Sequence, residues 1–505
     1  MRNRWTVLAV LSGALALISL DNTIVNVALP RLQQDLGAST AQLQWVVDAY
    51  SVMFAGSLLI AGSLGDRFGR RRMLSIGLLI FIAGSVTAVF AVNSHQLTVC
   101  RAVMGIGGAC IMPSTLSILV QVFPEPKERA RAIGIWAAVA GLGVAIGPIV
   151  GGLLLEHFDW PAIFLVNPPI ALLLLGAVLL LVPESKDPER PRLDLIGAGL
   201  SAVGLITLVV TIIELPDSGL SAFTVSSGVV AIASLVSFVW WERRAPRPML
   251  PMDFFSNRLF AVAVVIVGLV YFALMGAMFF LPQFLQLVQG MTPLESGIAM
   301  LPGALGLLLA SVVSPRLAER FGSRRMVMTG MSIVTLGLLG FSSLGSTTHY
   351  AFIGCVFGLM GVGLGLTLPQ ATNGVLASVP TQRSGMGSAV NDAVAELGGS
   401  FGVAILGASM SITYRQHIES EIVAAGDRIN LLPEFAVQAA RESLAAASVA
   451  SGQIPANVAA VYSEVAGDAF VSGMTWAMSI GALIAAAGVV VAWRYFPARV
   501  ETVQE

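Results

Sequence analysis

The chain has 505 residues, 56% of them hydrophobic and 11% charged, with a net charge of −1. A soluble globular domain carries about 25% charged residues, so this composition excludes an ordinary soluble enzyme and calls for an all-α polytopic membrane protein. The balanced charge leaves no nucleic-acid footprint, and Cys100, Cys110 and Cys355, all in apolar runs, offer neither a disulfide framework nor metal-ligand spacing.

Cutting the chain where charge, proline and glycine cluster leaves apolar runs of about the 20 residues that cross a bilayer. Fourteen result, near 6–29, 43–63, 73–92, 97–120, 131–155, 161–182, 195–214, 222–241, 259–281, 293–315, 326–345, 349–371, 386–411 and 469–494. The first follows Arg2 and Arg4. It is too long for a signal peptide, lacks a small-residue cleavage site and contains Asp21, so it reads as a retained span. Lys and Arg test the count. With the N-terminus inside, 23 of the 28 fall in inside segments, Arg31, Arg415, Arg428 and Arg441 fall outside, and Arg101 lies within span 4. One missed helix would reverse every later loop. Both termini are therefore expected in the cytoplasm. The four histidines (His95, His157, His349, His417) lie in or beside breaks, which disfavours a buried histidine relay or metal site.

Between spans 2 and 3 lies Gly62-Ser63-Leu64-Gly65-Asp66-Arg67-Phe68-Gly69-Arg70-Arg71-Arg72, with a degenerate copy at Leu317 to Arg325 in which Glu319 stands for Asp66. Two copies suggest two repeats, as in secondary transporters. The extra pair, spans 7 and 8, should lie between them. The expected organisation is 1–194 as one six-helix bundle, 195–241 as an inserted pair and 242–505 as a second bundle; the alternative is twelve spans with an interfacial hairpin. The polar, alanine-rich segment 412–468 reads as an extracellular solvated loop with a short surface helix within Pro433 to Ala447, or more sharply as an acidic lid.

Ionisable groups inside spans are costly and are functional candidates. Asp21 in span 1 stands beside Asn22 and Asn26, which share a helix face. Asp48 in span 2 is flanked by Trp45 and Tyr50, which suits a flat organic cation. Arg101 opens span 4 and could serve a buried carboxylate; the bland reading is a snorkelling arginine. Asp392 and Glu396 in span 13 are four apart on one face, so at least one should hold a proton; near the inner mouth they would merely be solvated. Tyr271 and Phe272 in span 9 are core packing or pocket lining. Glu295 reads as a cap. Gly143, Gly147, Pro148, Gly151 and Gly152 in span 5 allow close packing around a kink.

The stretch from Gly62 to Leu74, including Asp66, Arg67, Gly69, Arg70 and Arg71, resembles the signature loop G-x-L-x-D-R-x-G-R-R-x-x-L of the major facilitator superfamily. Leu20 to Pro30 resembles the first-helix motif L-D-x-T-I-V-N-V-A-L-P of its fourteen-helix drug:proton antiporters. Arg101 to Gly107 is similar to R-x-x-x-G-x-G, and Gly143 to Gly152 to the antiporter motif G-x-x-x-G-P-x-x-G-G. Asp48 and the pair at 392 and 396 resemble the quaternary-ammonium exporter branch. Trp136 and Trp160-Pro161-Ala162-Ile163-Phe164 depart from the family pattern. The resemblance implies two six-helix bundles around a cavity and a monomer in the cell membrane. It implies proton-driven export of lipophilic cationic drugs, without a cofactor or metal and without enzymatic activity. A dedicated exporter of one metabolite or antibiotic, or a facilitator without proton coupling, is the alternative.

Overall fold

A computed structural model describes residues 4–185, 194–245, 248, 252–379, 384–425 and 432–499; the side chain of Asp66 lies outside that description. The first part of the chain forms α1 (Arg4–Leu36), α2 (Thr40–Phe68), α3 (Arg70–Val89), α4 (Ser94–Val122), α5 (Pro126–His157), the short α6 (Ala162–Leu165) and α7 (Asn167–Leu181). Then come α8 (Leu195–Ser218) and α9 (Ala222–Glu242). The rest forms α10 (Arg258–Gln283) with a π turn at Phe284–Val288, α11 (Pro293–Ala299), α12 (Leu301–Phe321), α13 (Ser323–Ser342), α14 (Tyr350–Ala377), α15 (Ser384–Ala425), α16 (Glu434–Glu442), α17 (Leu444–Ser451) and α18 (Ala456–Tyr495).

Twelve helical segments of the described residues are long and apolar enough to cross a membrane. Two further helices, α2 of 29 residues and α5 of 32, exceed about 40 Å at 1.5 Å per residue. The chain is a multi-pass membrane protein. One face carries Arg4 and the turn at Gly69 and is here termed the basic face; the other carries the turns at Gly37 and Gly290 and is termed the opposite face.

Packing follows small residues. Gly143, Gly147 and Gly151, four apart along α5, lie against Ala16, Thr23 and Ile24 of α1. On the neighbouring face of α5, Gly152 meets Pro293 and Leu294, and the Pro148 carbonyl meets Gly297 of α11. Helix α8 packs on both α2 and α15, whereas α9 packs on α8. The pair α8–α9 therefore sits beside the α2–α15 seam.

The segment 412–468 is not the solvated loop expected. Helix α15 continues to Ala425 and α18 begins at Ala456, with α16 and α17 between them. Tyr414 donates to the Ala440 carbonyl at 2.8 Å and Tyr462 to the Ala436 carbonyl at 2.6 Å, so two buried tyrosines grip α16. Alanine keeps helix propensity high after the apolar run ends, and a search for apolar runs stops too early. Glu295 does cap α11: Thr292 and Glu295 form a reciprocal capping box.

Candidate functional site

The first half converges on one buried ion pair. Asp21 and Arg101 have fully buried side chains, with Nη1 of Arg101 2.6 Å from Oδ2 of Asp21. The other carboxylate oxygen accepts from Nδ2 of Asn167 at 2.7 Å, and the same amide reaches Oγ of Ser85 at 3.2 Å. Ser85 in turn donates to the Phe164 carbonyl at 2.9 Å. Nε of Arg101 donates to the Val46 carbonyl at 3.1 Å, and its guanidinium lies 4.5 Å from the centre of the Tyr50 ring. Helices α1, α2, α3, α4 and α7 thus meet on one charge pair. A buried pair of this kind costs its desolvation and is held together by its added hydrogen bonds, so it fixes the arrangement of the helices around it. Arg101 is not a snorkelling residue.

Three polar atoms at this centre, Nη2 of Arg101, Oδ1 of Asn167 and the Tyr50 hydroxyl, are buried without a hydrogen-bond partner. Across from them, α15 brings Glu396, half-buried, beside Ser51 and within electrostatic range of Arg101 and Asp392. Asp392 is also half-buried and accepts from Asn391 at 3.2 Å. Tyr271 of α10 lies within electrostatic range of both acids. The acidic pair is therefore turned into the molecule rather than left at a solvated mouth. Asn22 is half-buried, and its carbonyl accepts from the buried Asn26 at 3.2 Å.

Asp48 belongs elsewhere. It is fully buried at the seam with α15, where Oδ1 accepts from Ser400 at 2.8 Å. The aromatic cage expected around it does not form. Trp45 packs beside Val52 against Val209 and Ile213 of α8, and Tyr50 lies under Arg101. Phe272 is core, with its backbone against Gly402.

At the basic face Gly69 takes φ 120°, a region closed to most side chains. A residue missed in the sequence, Glu184, holds this turn: it accepts from the Arg71 amide at 3.1 Å and lies 3.7 Å from Nε of Arg72. Arg70 donates its amide to the Ser185 carbonyl at 2.8 Å, and Arg71 reaches the Val182 carbonyl at 3.3 Å. Arg67 is exposed and Gly62 half-buried. Toward the opposite face the halves close on each other. Gln286 donates to the Val27 carbonyl at 2.9 Å, and the buried Gln44 lies against Gly407. A narrow apolar cavity of about 20 Å³ lies between Val144 and Pro148 of α5 and Leu274, Met278, Ala304 and Leu307 of α10 and α12.

The major facilitator superfamily model matches residues 11–403. The chain belongs to the major facilitator superfamily. It is 38% identical over 493 residues to the multidrug efflux pump LfrA of Mycolicibacterium smegmatis, covering 97% of this chain and 96% of the relative. Identity is 32% to the tetracenomycin C resistance and export protein of Streptomyces glaucescens, over 96% of this chain and 90% of the relative. It is 31% to the methyl viologen resistance protein SmvA of Salmonella typhimurium, over 83% and 85%. The fold matches that of a bacterial homologue of the human lysosomal transporter Spinster with a TM-score of 0.68 at 18% identity, over 98% and 97% of the two chains. In this superfamily member the turn at Gly69 is held by the chain after α7, and the span 5 glycines pack on α1 and α11.

Proposed function

We propose that the protein exports lipophilic, cationic drugs or toxic compounds across the cell membrane in exchange for protons. The observation that carries this reading is the fully buried Asp21–Arg101 pair facing the half-buried Glu396 and Asp392. Such acids inside a membrane can hold either a proton or an organic cation. The names of its relatives support export of drugs. In this reading the protein works as a monomer without cofactor. Residues 1–194 and 242–505 are the two bundles, 195–241 are an insertion, and the basic face is cytoplasmic.

The halves touch toward the opposite face, so in this reading the buried acids are reached from the cytoplasm. A lipophilic cation enters there and is attracted by Asp21, Asp392 and Glu396. Rocking of the halves exposes it to the outside, where protons displace it. The loop from Gly62 to Arg71 holds the inner gate, and Gly143 to Gly152 of α5 let α1 and α11 slide past at close range.

Ethidium efflux from cells, with and without a protonophore, tests this. Wild type is expected to extrude ethidium only while the gradient stands, and Asp21→Asn to lose efflux at normal protein level. Gradient-independent efflux would refute antiport. Absent efflux would turn the reading toward one dedicated substrate.

A further inference from the structure

Arginines of the basic face are answered by acids early in the chain and not at its end. In the first part, Arg4 pairs with Glu128 at 2.6 Å and Arg72 with Glu184 at 3.7 Å. At the foot of α18 the partners are main chain and an aromatic ring. Arg258, which opens α10, donates to the Arg494 carbonyl at 2.9 Å, and Arg324, in the first turn of α13, donates to the Phe496 carbonyl. The Tyr495 ring lies under two guanidinium groups, its centre 4.7 Å from that of Arg258 and 5.7 Å from that of Arg494. Among the described residues no carboxylate lies within ion-pair distance of Arg258, Arg324, Arg494 or Arg499. Asp253, the nearest acid in sequence to Arg258, is exposed and pairs with none of them.

A helix C-terminus offers about half a negative charge. That cannot balance the arginines gathered there, so the foot of α18 is left positive. Its exposed surface is also apolar. Val490, Trp493 and Arg494 share one face of α18; Val490 and Trp493 are 60% and 61% exposed, and Tyr495 is 47% exposed. These residues end a membrane span, where aromatic rings mark the boundary between hydrocarbon and headgroups. A partner for this surface needs a negative charge level with the arginines and hydrocarbon just above it. A nucleotide or an acidic peptide would leave Val490 and Trp493 bare. A zwitterionic lipid would leave the charge unbalanced.

We propose that the foot of α18 binds an anionic phospholipid of the leaflet at the basic face. Its phosphate lies between the guanidinium groups of Arg258 and Arg494, and an acyl chain runs along Trp493 and Val490. An arginine has five N–H donors. The contacts above use one from Arg258, so donors remain for the phosphate oxygens. The Arg494 carbonyl and the Tyr495 ring hold the arginine side chains before the lipid arrives, which lowers the cost of ordering them. The bound headgroup ties the start of α10 to the end of α18. The site needs only a bilayer and does not depend on the antiport reading.

The test attaches a bimane fluorophore through Val490→Cys, in a chain whose Cys100, Cys110 and Cys355 are replaced by alanine. The vesicles mix phosphatidylcholine with phosphatidylglycerol brominated on its acyl chains. Bromine quenches on contact, so the quenching curve reports the preference for the anionic lipid at that spot. Two arginines near the membrane surface should give a preference of about thirtyfold, falling as salt is raised. Arg258→Gln combined with Arg494→Gln should abolish it. A second label through Leu180→Cys, at the basic-face end of α7 and close to Glu184, should show no preference in either chain, and its unchanged curve checks that the double variant keeps its fold. Absence of a preference at 490, its survival in the double variant, or an equal preference at 180 overturns the site. So does loss of the preference under excess inorganic phosphate, beyond the effect of chloride at equal ionic strength, which would assign the arginines to free phosphate.

Discussion

Each half of the molecule turns at the basic face on a glycine, and the two turns are held by different chemistry. Gly69 after α2 and Gly322 after α12 have φ 120° and 89°, and each amide donates to the carbonyl four residues back, at 2.9 and 2.8 Å. The chain just after α7 closes on the first turn, and the chain just after α18 closes on the second. At the first, the clamp is the Glu184 carboxylate, with Arg71 and Arg72 as partners. At the second it is main chain: Nε of Arg324 donates to the Phe496 carbonyl, and the Ala498 carbonyl lies against Gly322. Main-chain carbonyls take part in holding both turns, and the first turn adds a carboxylate, Glu184.

The largest expected effect breaks both turns. A Cβ on residue 69 would meet Oε1 of Glu184 at 2.7 Å, and one on residue 322 would meet the Ala498 carbonyl at 2.6 Å. Backbone strain alone costs about 1–3 kcal/mol for a side chain in such a region. Gly69→Ala and Gly322→Ala should both lower the thermal midpoint in detergent and reduce ethidium efflux. Adding Glu184→Ala should restore part of the Gly69→Ala loss, since the obstacle there is a side chain. Equal midpoints for Gly69→Ala and the double variant would refute the clash.

A smaller effect sharpens the contrast. Glu184→Gln should cost at most about 1 kcal/mol, because a half-exposed charge at a helix N-terminus and beside an arginine is screened by water. That cost should shrink as salt is raised. Arg324→Gln should cost less still and show little salt dependence, since its partner is a neutral carbonyl. Matching salt responses for the two variants, read from unfolding midpoints, would show that the clamps do not differ in kind.

The sequence made the charged members of the site legible. A charge inside an apolar run is conspicuous, so Asp21, Arg101, Asp392 and Glu396 stood out. Their neutral partners did not. Asn167 and Ser400 carry no periodic or compositional signal, and only the fold shows that they face an acid, Asp21 and Asp48. Glu184 was hidden for another reason: it lies far from the loop it holds, at the end of a different span. The aromatic residues beside Asp48 misled because adjacency in sequence is not adjacency on a helix. Counting by helical period would have put Tyr50, two residues on, about 200° around α2 from Asp48, although it leaves Trp45 on Asp48's side.

The continuation of α15 and α18 past the apolar runs has a mechanical consequence. These helices have 42 and 40 residues, or about 60 Å each, against a hydrocarbon layer of about 30 Å. Tied together through α16 by Tyr414 and Tyr462, their continuations 412–425 and 456–468 form a mast about 20 Å long beyond the apolar runs. A mast of that length turns a tilt of about 10° in the bundle into a sweep of about 3–4 Å at its tip. Two fluorophores, one on the mast and one on the turn at Gly219, would read the rocking of the bundles from outside the bilayer.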